Sequence, residues 1–229
     1  MNTTLLQAIA LILLGVCTVA AQDRYIYNDT VMKQSKFIVG ADVRFATFDT
    51  QNNFYDNDVL NNGMSYDVSM YYKVNKHVAI GLKYNLFTAA DTYQYLVADG
   101  LGNVTSSNVK EDVTLSYIGL SVRLDASKER KPVHFYAEES IGYFHYSQDI
   151  KGTGSAGVTY GGLGFLSVLG LEFRLFKDFY LGPKAGIAYG IGSKKSNYSE
   201  NGGEITHTGS GLDNSFFRLE AGAGASYRF

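Results

Sequence analysis

The chain has 229 residues, a formal net charge of -2 and a hydrophobic share of 45%. The near balance of 20 basic and 22 acidic side chains argues against a nucleic-acid-binding surface, and the hydrophobic share argues against intrinsic disorder. Counts of 25 Gly, 18 Tyr and only 2 Pro favour strands and turns over a helical bundle. A mean hydropathy of -0.09, taken by itself, points away from a membrane protein.

Residues 1–21 have the pattern of a cleaved signal peptide. Leu5 to Val16 form an apolar run that is too short to span a membrane, and small residues before Gln22 fit a signal-peptidase site. No Lys or Arg precedes this run, so the alternative is a buried N-terminal helix. The sole cysteine, Cys17, lies inside the segment, and Val16 before it does not fit a lipoprotein signal. Cleavage would leave a mature chain without disulfides, thiolate metal ligands or a cysteine nucleophile.

From residue 36 onward, apolar and polar residues alternate with a period of two, which predicts strands with unlike faces. Eight segments show the pattern, and we expect each to supply the roughly 9–11 residues of a tilted transmembrane strand. In chain order they are 37–45, 64–74, 78–86, a segment ending near 124, one opening at 133, 169–175, 179–191 and 217–229.

Three features interrupt the alternation. Apolar residues up to Tyr117 lie on the parity that later carries charged side chains, which predicts a bulge near Tyr117-Ile118. Glu138 and Glu139 are adjacent, so an unbroken strand would turn one carboxylate to the apolar side. Pro183 cannot donate a backbone hydrogen bond, which predicts a bulge or a strand end nearby.

The connections differ in length in an alternating way. Long polar connections at one end of the strands and tight turns at the other are typical of an outer-membrane barrel, and an even strand count puts both termini on the short-turn side. The short links are 75–77 and 177–178, a somewhat longer charged link is 125–132, and the long polar connections are 49–63, 91–108, roughly 148–160 and 193–213.

Alternation alone has two solutions, a soluble lipocalin-like carrier with an apolar interior and a membrane barrel with the apolar face outside. The polar faces mix both signs of charge with many glycines, which favours a packed interior of ion pairs. Aromatic residues lie near strand ends, at Tyr71-Tyr72, Tyr93-Tyr95 and Tyr143-Phe144-Tyr146, where interface girdles would form. The predicted inward charges are Asp42, Arg44, Asp67, Lys73, Lys83, Arg123, Glu138, Glu172, Arg174, Lys184, Arg218, Glu220 and Arg228.

The chain ends in Phe229, and Tyr227 and further apolar residues occupy every second position back to Leu219. This ending resembles the C-terminal assembly signal of Gram-negative outer-membrane proteins, and the chain resembles the small outer-membrane β-barrel domain family over about residues 36–229. The resemblance implies location in the outer membrane, contact with membrane lipids and lipopolysaccharide, and recognition of Phe229 by the assembly machinery.

The predicted fold is all-β, an eight-stranded antiparallel up-and-down transmembrane β-barrel. The predicted organisation is a signal peptide at 1–21, an N-terminal periplasmic segment at 22–35 and one barrel domain at 36–229. An eight-stranded barrel has an interior that side chains just fill, so we expect a plug of ion pairs and no open porin channel.

No cofactor or metal site is predicted. A phosphate-loop-like stretch at 190–196 lacks the required spacing and a following helix. An acidic stretch, Asp56-Asn57-Asp58, lacks the downstream Glu of a calcium loop and fits a solvated loop. The four histidines are scattered and show no metal-ligand spacing; they are His77, His134, His145 and His207.

One constellation suggests chemistry. His145, Ser147 and Asp149 are two residues apart, so they share a strand face and could serve as base, nucleophile and orienting group. A similar His-x-Ser pair occurs in outer-membrane lipid A deacylases, so the alternative function is a lipid-modifying hydrolase. The favoured prediction is a non-enzymatic structural, adhesive or ligand-binding role through loops 49–63 and 193–213.

Overall fold

The computed structural model describes residues 35–50, 62–98, 104–126, 132–151, 155–200, 203–208 and 214–229. The predicted signal peptide and nearly all of segment 22–35 lie outside the described residues, as do 51–61 of the first long connection. Within the described part, no helix is long and apolar enough to cross a membrane. The strands are β1 Phe37–Thr50, β2 Asn62–Lys73, β3 Val78–Ala98, β4 Val104–Asp125, β5 Val133–Lys151, β6 Ser155–Phe176, β7 Phe179–Glu200, β8 Gly203–Thr208 and β9 Asn214–Arg228.

The eight long strands close into an antiparallel barrel. From β1 to β7 each strand pairs with the next in sequence, and β9 lies between β7 and β1, which removes the sheet edge. The short β8 pairs with the upper end of β7 and forms a hairpin beyond the barrel wall. The prediction of an eight-stranded up-and-down barrel is therefore confirmed.

The tight turns lie at the end of the barrel where β1 begins and β9 ends. Residues 74–77 join β2 to β3, and residues 177–178 join β6 to β7 with Lys177 in a left-handed conformation (φ 38°). The Phe229 carbonyl accepts hydrogen bonds from the backbone N–H groups of Lys36 and Phe37, each at 2.8 Å. Both ends of the barrel domain thus lie on the short-turn side, as predicted.

The apolar parity faces outward, and the polar parity faces the interior. Large apolar side chains such as Leu120, which is 68% exposed, cover the outside in a continuous band that we call the belt. Leaving a side chain of this kind in water costs about 1.5–3 kcal/mol, so a belt of this size requires lipid around it. The belt includes Val39, Val43, Phe45, Tyr66, Val68, Met70, Tyr72, Ile80, Leu82, Tyr84, Ile118, Leu120, Val122, Phe135, Ile141, Tyr143, Leu163, Phe165, Leu169, Phe173, Leu181, Ile187, Leu219 and Tyr227.

The predicted bulge near Tyr117-Ile118 is wrong. The β4 register against β3 and β5 stays constant through both residues, and Tyr117 points inward together with Val113 and Leu115. The polarity of the interior changes along the strand while the backbone stays regular. Above this level the strands continue with an apolar inside and a polar outside.

The long connections are also shorter than predicted, because strands continue into them. β3 and β4 form one hairpin through most of 91–108, β5 and β6 extend into 148–160, and β7 and β8 occupy much of 193–213. Strands β3 to β7 have 19 to 22 residues, whereas β1, β2 and β9 have 12 to 15. The barrel wall is therefore taller on the side of β3 to β7, and we call its part above the belt the upper wall.

The other two interruptions match their predictions. The β6–β7 ladder passes from the pair Gly170–Lys184 to the pair Phe173–Leu181, and a register shift follows between Arg174 and Phe176. Pro183, which has no N–H to donate, lies opposite the gap in this ladder and pairs with β9 on its other side. Strand β5 is unbroken at its two glutamates, so one faces the interior and the other faces outward.

Candidate functional site

The lower interior of the barrel holds a continuous chain of ion pairs. At its centre Glu138 accepts a hydrogen bond from Lys83 at 2.5 Å and another from Arg123 at 3.4 Å. These three side chains come from β3, β4 and β5, where the inward parity directs them into the same layer. All three are almost fully excluded from solvent, so each charge requires a partner inside the barrel.

Arg123 links this centre to the short-turn end. Its guanidinium donates to Glu172 at 2.8 and 3.3 Å and to Asp125 at 3.1 and 3.2 Å. Arg228 on the last strand donates to the same Glu172 at 2.9 Å. The Arg123 guanidinium also lies 3.6 Å from the centre of the Tyr136 ring, a cation–π distance. The sequence predicts that Asp125 starts a link between strands, and the structure instead places it in the interior as an ion-pair partner.

A second series of ion pairs runs from Lys83 toward β1 and β9. Asp67 lies 3.7 Å from Lys83 and 2.6 Å from Arg44. Arg44 in turn contacts Glu220 at 2.7 Å, and Arg218 contacts the same carboxylate at 2.5 Å. A further buried pair joins Lys184 to Asp42.

Opposite charges balance inside this layer. The fully buried cations are six in number, and six buried carboxylates face them, so the lower interior is neutral as a unit. Two of the predicted inward charges lie elsewhere, since Lys73 is half-buried at a strand end and Arg174 is exposed near the turn. The twelve members are Asp42, Arg44, Asp67, Lys83, Arg123, Asp125, Glu138, Glu172, Lys184, Arg218, Glu220 and Arg228.

Above the ion pairs, an apolar cluster fills the interior. Phe144 packs edge-to-face on Phe216 at 4.9 Å and on Tyr160 at 5.9 Å, and Tyr146 stacks on Tyr160 at 4.2 Å. A Cβ atom at Gly190 would lie 2.2 Å from the Phe216 ring, so this position has space only for glycine. The cluster comprises Ala46, Phe87, Ala89, Val113, Leu115, Tyr117, Phe144, Tyr146, Tyr160, Leu166, Val168, Ala188 and Phe216.

The upper wall carries one buried carboxyl group among these apolar residues. Glu111 on β4 accepts a hydrogen bond from the Gln148 side-chain amide on β5, and Gln148 accepts one from the Tyr146 hydroxyl at 3.2 Å. Burial raises the pKa of Glu111 above its ordinary value, the hydrogen bond from Gln148 opposes this shift, and the negative charge of Asp91 adds to it. The sequence patterns did not single out this group, because its partner lies on a neighbouring strand.

The residues of the suggested hydrolase lie on the outer surface. His145, Ser147 and Asp149 share the outward parity of β5 just above the belt, so the predicted common face is confirmed. Neighbours on such a face are about 6.6 Å apart at their Cα atoms, and all three lie along one strand in a straight row. Ser116 on β4 donates to the backbone carbonyl of His145 at 3.5 Å.

The aromatic residues divide between the two faces. Tyr72 and Tyr143 lie outside in the belt, as a girdle requires, and Phe37 packs on Tyr72 at 5.4 Å and on Phe229 at 5.7 Å. Tyr71, Phe144 and Tyr146 are buried in the interior, so their predicted place in a girdle is wrong. Adjacent residues in a strand face opposite sides, and consecutive aromatics therefore cannot all face lipid.

Several candidate residues lie outside the described part of the chain. The acidic stretch Asp56-Asn57-Asp58 is among them, and the side chains of loop 193–213 beyond Ser193 are not described, His207 included. His77 lies in a short turn with its Nδ1 atom 2.9 Å from the Asp125 carbonyl, and His134 is inside the barrel, edge-on to Tyr180 at 5.1 Å. Within the residues that the structure covers, no three His, Cys, Asp or Glu side chains are grouped to hold a metal ion.

Comparison with known proteins finds similarity in structure alone. No family model matches the chain, and no curated protein matches it. Among solved structures, Neisserial surface protein A aligns with a TM-score of 0.53 at 17% identity, covering 86% of this chain and 100% of that one. A major outer membrane protein from Thermus thermophilus aligns with a TM-score of 0.52 at 16% identity, covering 84% and 99%.

The outer membrane protease OmpT from Escherichia coli aligns with a TM-score of 0.51 at 8% identity, covering 87% of this chain and 99% of that one. At these identities the likeness shows the fold and leaves the activity open. The structure leads to the same conclusion as these comparisons. Its eight long strands form a closed sheet, its apolar belt faces outward and its ion pairs are buried. The chain is a transmembrane β-barrel of the outer-membrane type.

Proposed function

We propose that this chain is an integral outer-membrane protein with a structural or adhesive role, that it binds a partner through its upper wall and loops, and that it is neither an open porin nor an enzyme. The filled interior is the observation that carries this proposal, because charged side chains occupy its lower half and aromatic side chains its upper half. A rigid barrel with a tall polar-faced wall above the membrane is a scaffold for surface contacts.

The proposal includes the route to the membrane. Residues 1–21 direct export and are removed, residues 22–35 remain in the periplasm, and residues 36–229 form the barrel that the assembly machinery recognises through Phe229. The exposed Phe229 ring and its place at the seam between β1 and β9 support this role, since the closing strand must pair last with the first.

Planar-bilayer recording tests the sealed interior. We expect purified barrel to give no steady conductance steps, because both halves of its interior are packed with side chains. Large, stable steps from the wild-type protein would refute this part of the proposal. Small, brief openings that disappear when the apolar cluster is enlarged by Phe144→Trp would indicate a narrow channel.

Shortening the β3–β4 hairpin tests the binding role. Residues 93–109 are replaced by Asn-Gly, and cells carrying either form are compared for binding to immobilised fibronectin, collagen and purified lipopolysaccharide. We expect the shortened form to fold and to lose binding to at least one of these probes. Equal binding of both forms to all probes would contradict a role for this hairpin.

The non-enzymatic part of the proposal has a direct test at Ser147. Wild type and Ser147→Ala are incubated with lipid A and with phospholipid, and released fatty acid is measured. We expect no release from either protein, because His145, Ser147 and Asp149 lie in one row along a single strand, whereas a catalytic triad needs its base and its orienting group held around the nucleophile by the surrounding fold. Acyl release that requires Ser147 would establish the lipid-modifying hydrolase instead.

A further inference from the structure

A carboxyl group faces lipid in the middle of the belt. Glu139 on β5 has the outward parity, and its strand partners are Val122 on β4 and Ser167 on β6. Ser167 donates its hydroxyl hydrogen to one carboxyl oxygen of Glu139 at 2.7 Å. Glu139 lies between the belt residues Phe135 and Tyr143 of the same strand, so it is near the mid-depth of the membrane.

This carboxyl group differs from every other outward side chain at its depth. Among the described outward residues between the short turns and the Ser116–His145 layer, Glu139 is the one carboxylic acid, and none of the others is Lys, Arg or His. The twelve charges of the lower interior pair with one another inside the barrel, whereas the side-chain hydrogen bond of Glu139 is made to Ser167 on the outside. Acidic and basic groups on the lipid face destabilise a barrel, so their presence calls for a partner.

Acyl chains cannot provide that partner, because they neither donate nor accept hydrogen bonds. Ser167 satisfies one of the two carboxyl oxygens and leaves the other for a group outside this barrel. In its acid form a carboxyl is both a donor and an acceptor, and a hydroxyl is the same. A Glu–Ser pair is therefore complementary to a second Glu–Ser pair.

The position of the pair fits a two-fold axis. Glu139 and Ser167 lie directly opposite each other on adjacent strands, so an axis along the membrane normal between β5 and β6 would set Glu139 of one copy against Ser167 of the other. Such a contact is self-complementary, as the interface of a symmetric dimer must be. Exposed apolar side chains, Ile141, Phe165 and Leu169, surround the pair and would exclude lipid from it.

We propose that the β5–β6 face is a homodimer interface within the membrane, centred on reciprocal hydrogen bonds between Glu139 and Ser167 of two copies of this chain.

Cysteine cross-linking locates the interface. The full-length protein carrying Phe165→Cys, which lies beside the pair on β6 and leaves both hydrogen-bonding groups in place, is oxidised in native membranes with copper phenanthroline. Val68→Cys on β2 is the matched control, because it is outward-facing in the belt on the opposite side of the barrel. We expect dimer from Phe165→Cys and little from Val68→Cys, with the unsubstituted protein as background. Equal cross-linking at both positions, or more at Val68→Cys, would overturn the proposal.

Substitution of Glu139 tests the hydrogen bonds. Glu139→Gln keeps a donor and an acceptor, Glu139→Leu removes both, and Val122→Leu changes a belt neighbour without a polar group. Dimerisation in lipid vesicles is measured by single-molecule photobleaching at several protein-to-lipid ratios, after heat-modifiable gel migration shows that each variant is folded. We expect Glu139→Leu to weaken dimerisation about tenfold, the effect of losing two intramembrane hydrogen bonds, and the other variants to stay within about threefold of wild type.

Three results would contradict the proposal. Wild type could remain monomeric at every protein-to-lipid ratio, or Glu139→Leu could dimerise as well as wild type. Phe165→Cys could also cross-link in native membranes to a different protein and never to itself, which would assign this face to a heterologous partner.

Discussion

The buried ion-pair chain branches at Arg123. Replacing Arg123 by Met therefore tests how much this chain contributes to the stability of the barrel. Its guanidinium touches Asp125, Glu138 and Glu172 and lies over the Tyr136 ring. Met has a similar length and no charge. The variant Arg123→Met therefore leaves three buried carboxylates around an apolar side chain and gives the lower interior one excess negative charge.

The expected loss follows from the cations that remain. Glu138 keeps Lys83 at 2.5 Å, Glu172 keeps Arg228 at 2.9 Å, and Asp125 keeps Arg228 at 3.8 Å. Because each carboxylate retains one partner, the cost should equal the breaking of one buried pair, about 3–5 kcal/mol, and not three times that amount. A second change, Glu172→Gln, restores the charge balance and should recover about half of the loss.

The chain has no tryptophan, so gel migration of folded and unfolded bands across a urea series is the suitable assay. Arg174→Met is the matched control, because Arg174 is exposed near the turn and its loss should change the free energy of unfolding by less than about 0.5 kcal/mol. The reasoning would be refuted if Arg123→Met lost less than about 1 kcal/mol. It would equally be refuted if adding Glu172→Gln lowered the stability further.

The remaining predictions concern other parts of the barrel. In Gly170→Ala the new Cβ would lie 2.1 Å from the Tyr136 ring, so folded yield should fall sharply and recover in the double variant with Tyr136→Ala, as gel migration would show. The raised pKa of Glu111 means that the folded state holds this proton more tightly than the unfolded chain. Its contribution therefore favours folding at low pH and is lost as the pH rises from 4.5 through the raised pKa, and Glu111→Gln should flatten urea midpoints measured against pH. Phe229→Ala should reduce the amount of assembled barrel in membranes while refolding from urea into detergent is kept, and unchanged assembly in cells would count against the C-terminal signal.

The architecture was predictable because one side of each strand must meet lipid. In 118–124 the even positions are apolar and the odd positions are small or charged, and this parity alone assigns Leu120 outward and Arg123 inward. The strand number and the short-turn end follow from repeating this reasoning along the chain. Balanced charges on the inward parity predicted the ion pairs as a class.

The same parity rule gives wrong predictions where the strands leave the membrane and enter water. Above the belt, water replaces lipid, so the polar side of the wall turns outward and the apolar side turns inward without any change in the backbone. Leu115 and Tyr117 reverse polarity for this reason, and the change suggested a bulge that does not exist. The polar residues of 91–108 predict a loop, whereas β3 and β4 continue through most of this range.

Partners on other strands could not be predicted from one sequence. The contact between Glu139 and Ser167 depends on the β5–β6 register, which pairs residues 28 positions apart. The sequence places Asp125 in a link because its charge follows the last apolar residue of β4, and only the closed barrel shows that Arg123 and Arg228 surround it.

Locating the boundary between lipid and water along β4 tests most directly whether the barrel spans the membrane. Single cysteines at Leu120, Val122 and Thr114, all facing outward, are compared with one at the inward-facing Ser121 for labelling by a membrane-impermeant maleimide on intact cells and for quenching by spin-labelled lipid. We predict that Leu120→Cys and Val122→Cys are quenched and unlabelled, Thr114→Cys is labelled from outside, and Ser121→Cys shows neither signal. Labelling at position 120 or 122, or protection of position 114 on intact cells, would contradict the barrel's placement in the membrane.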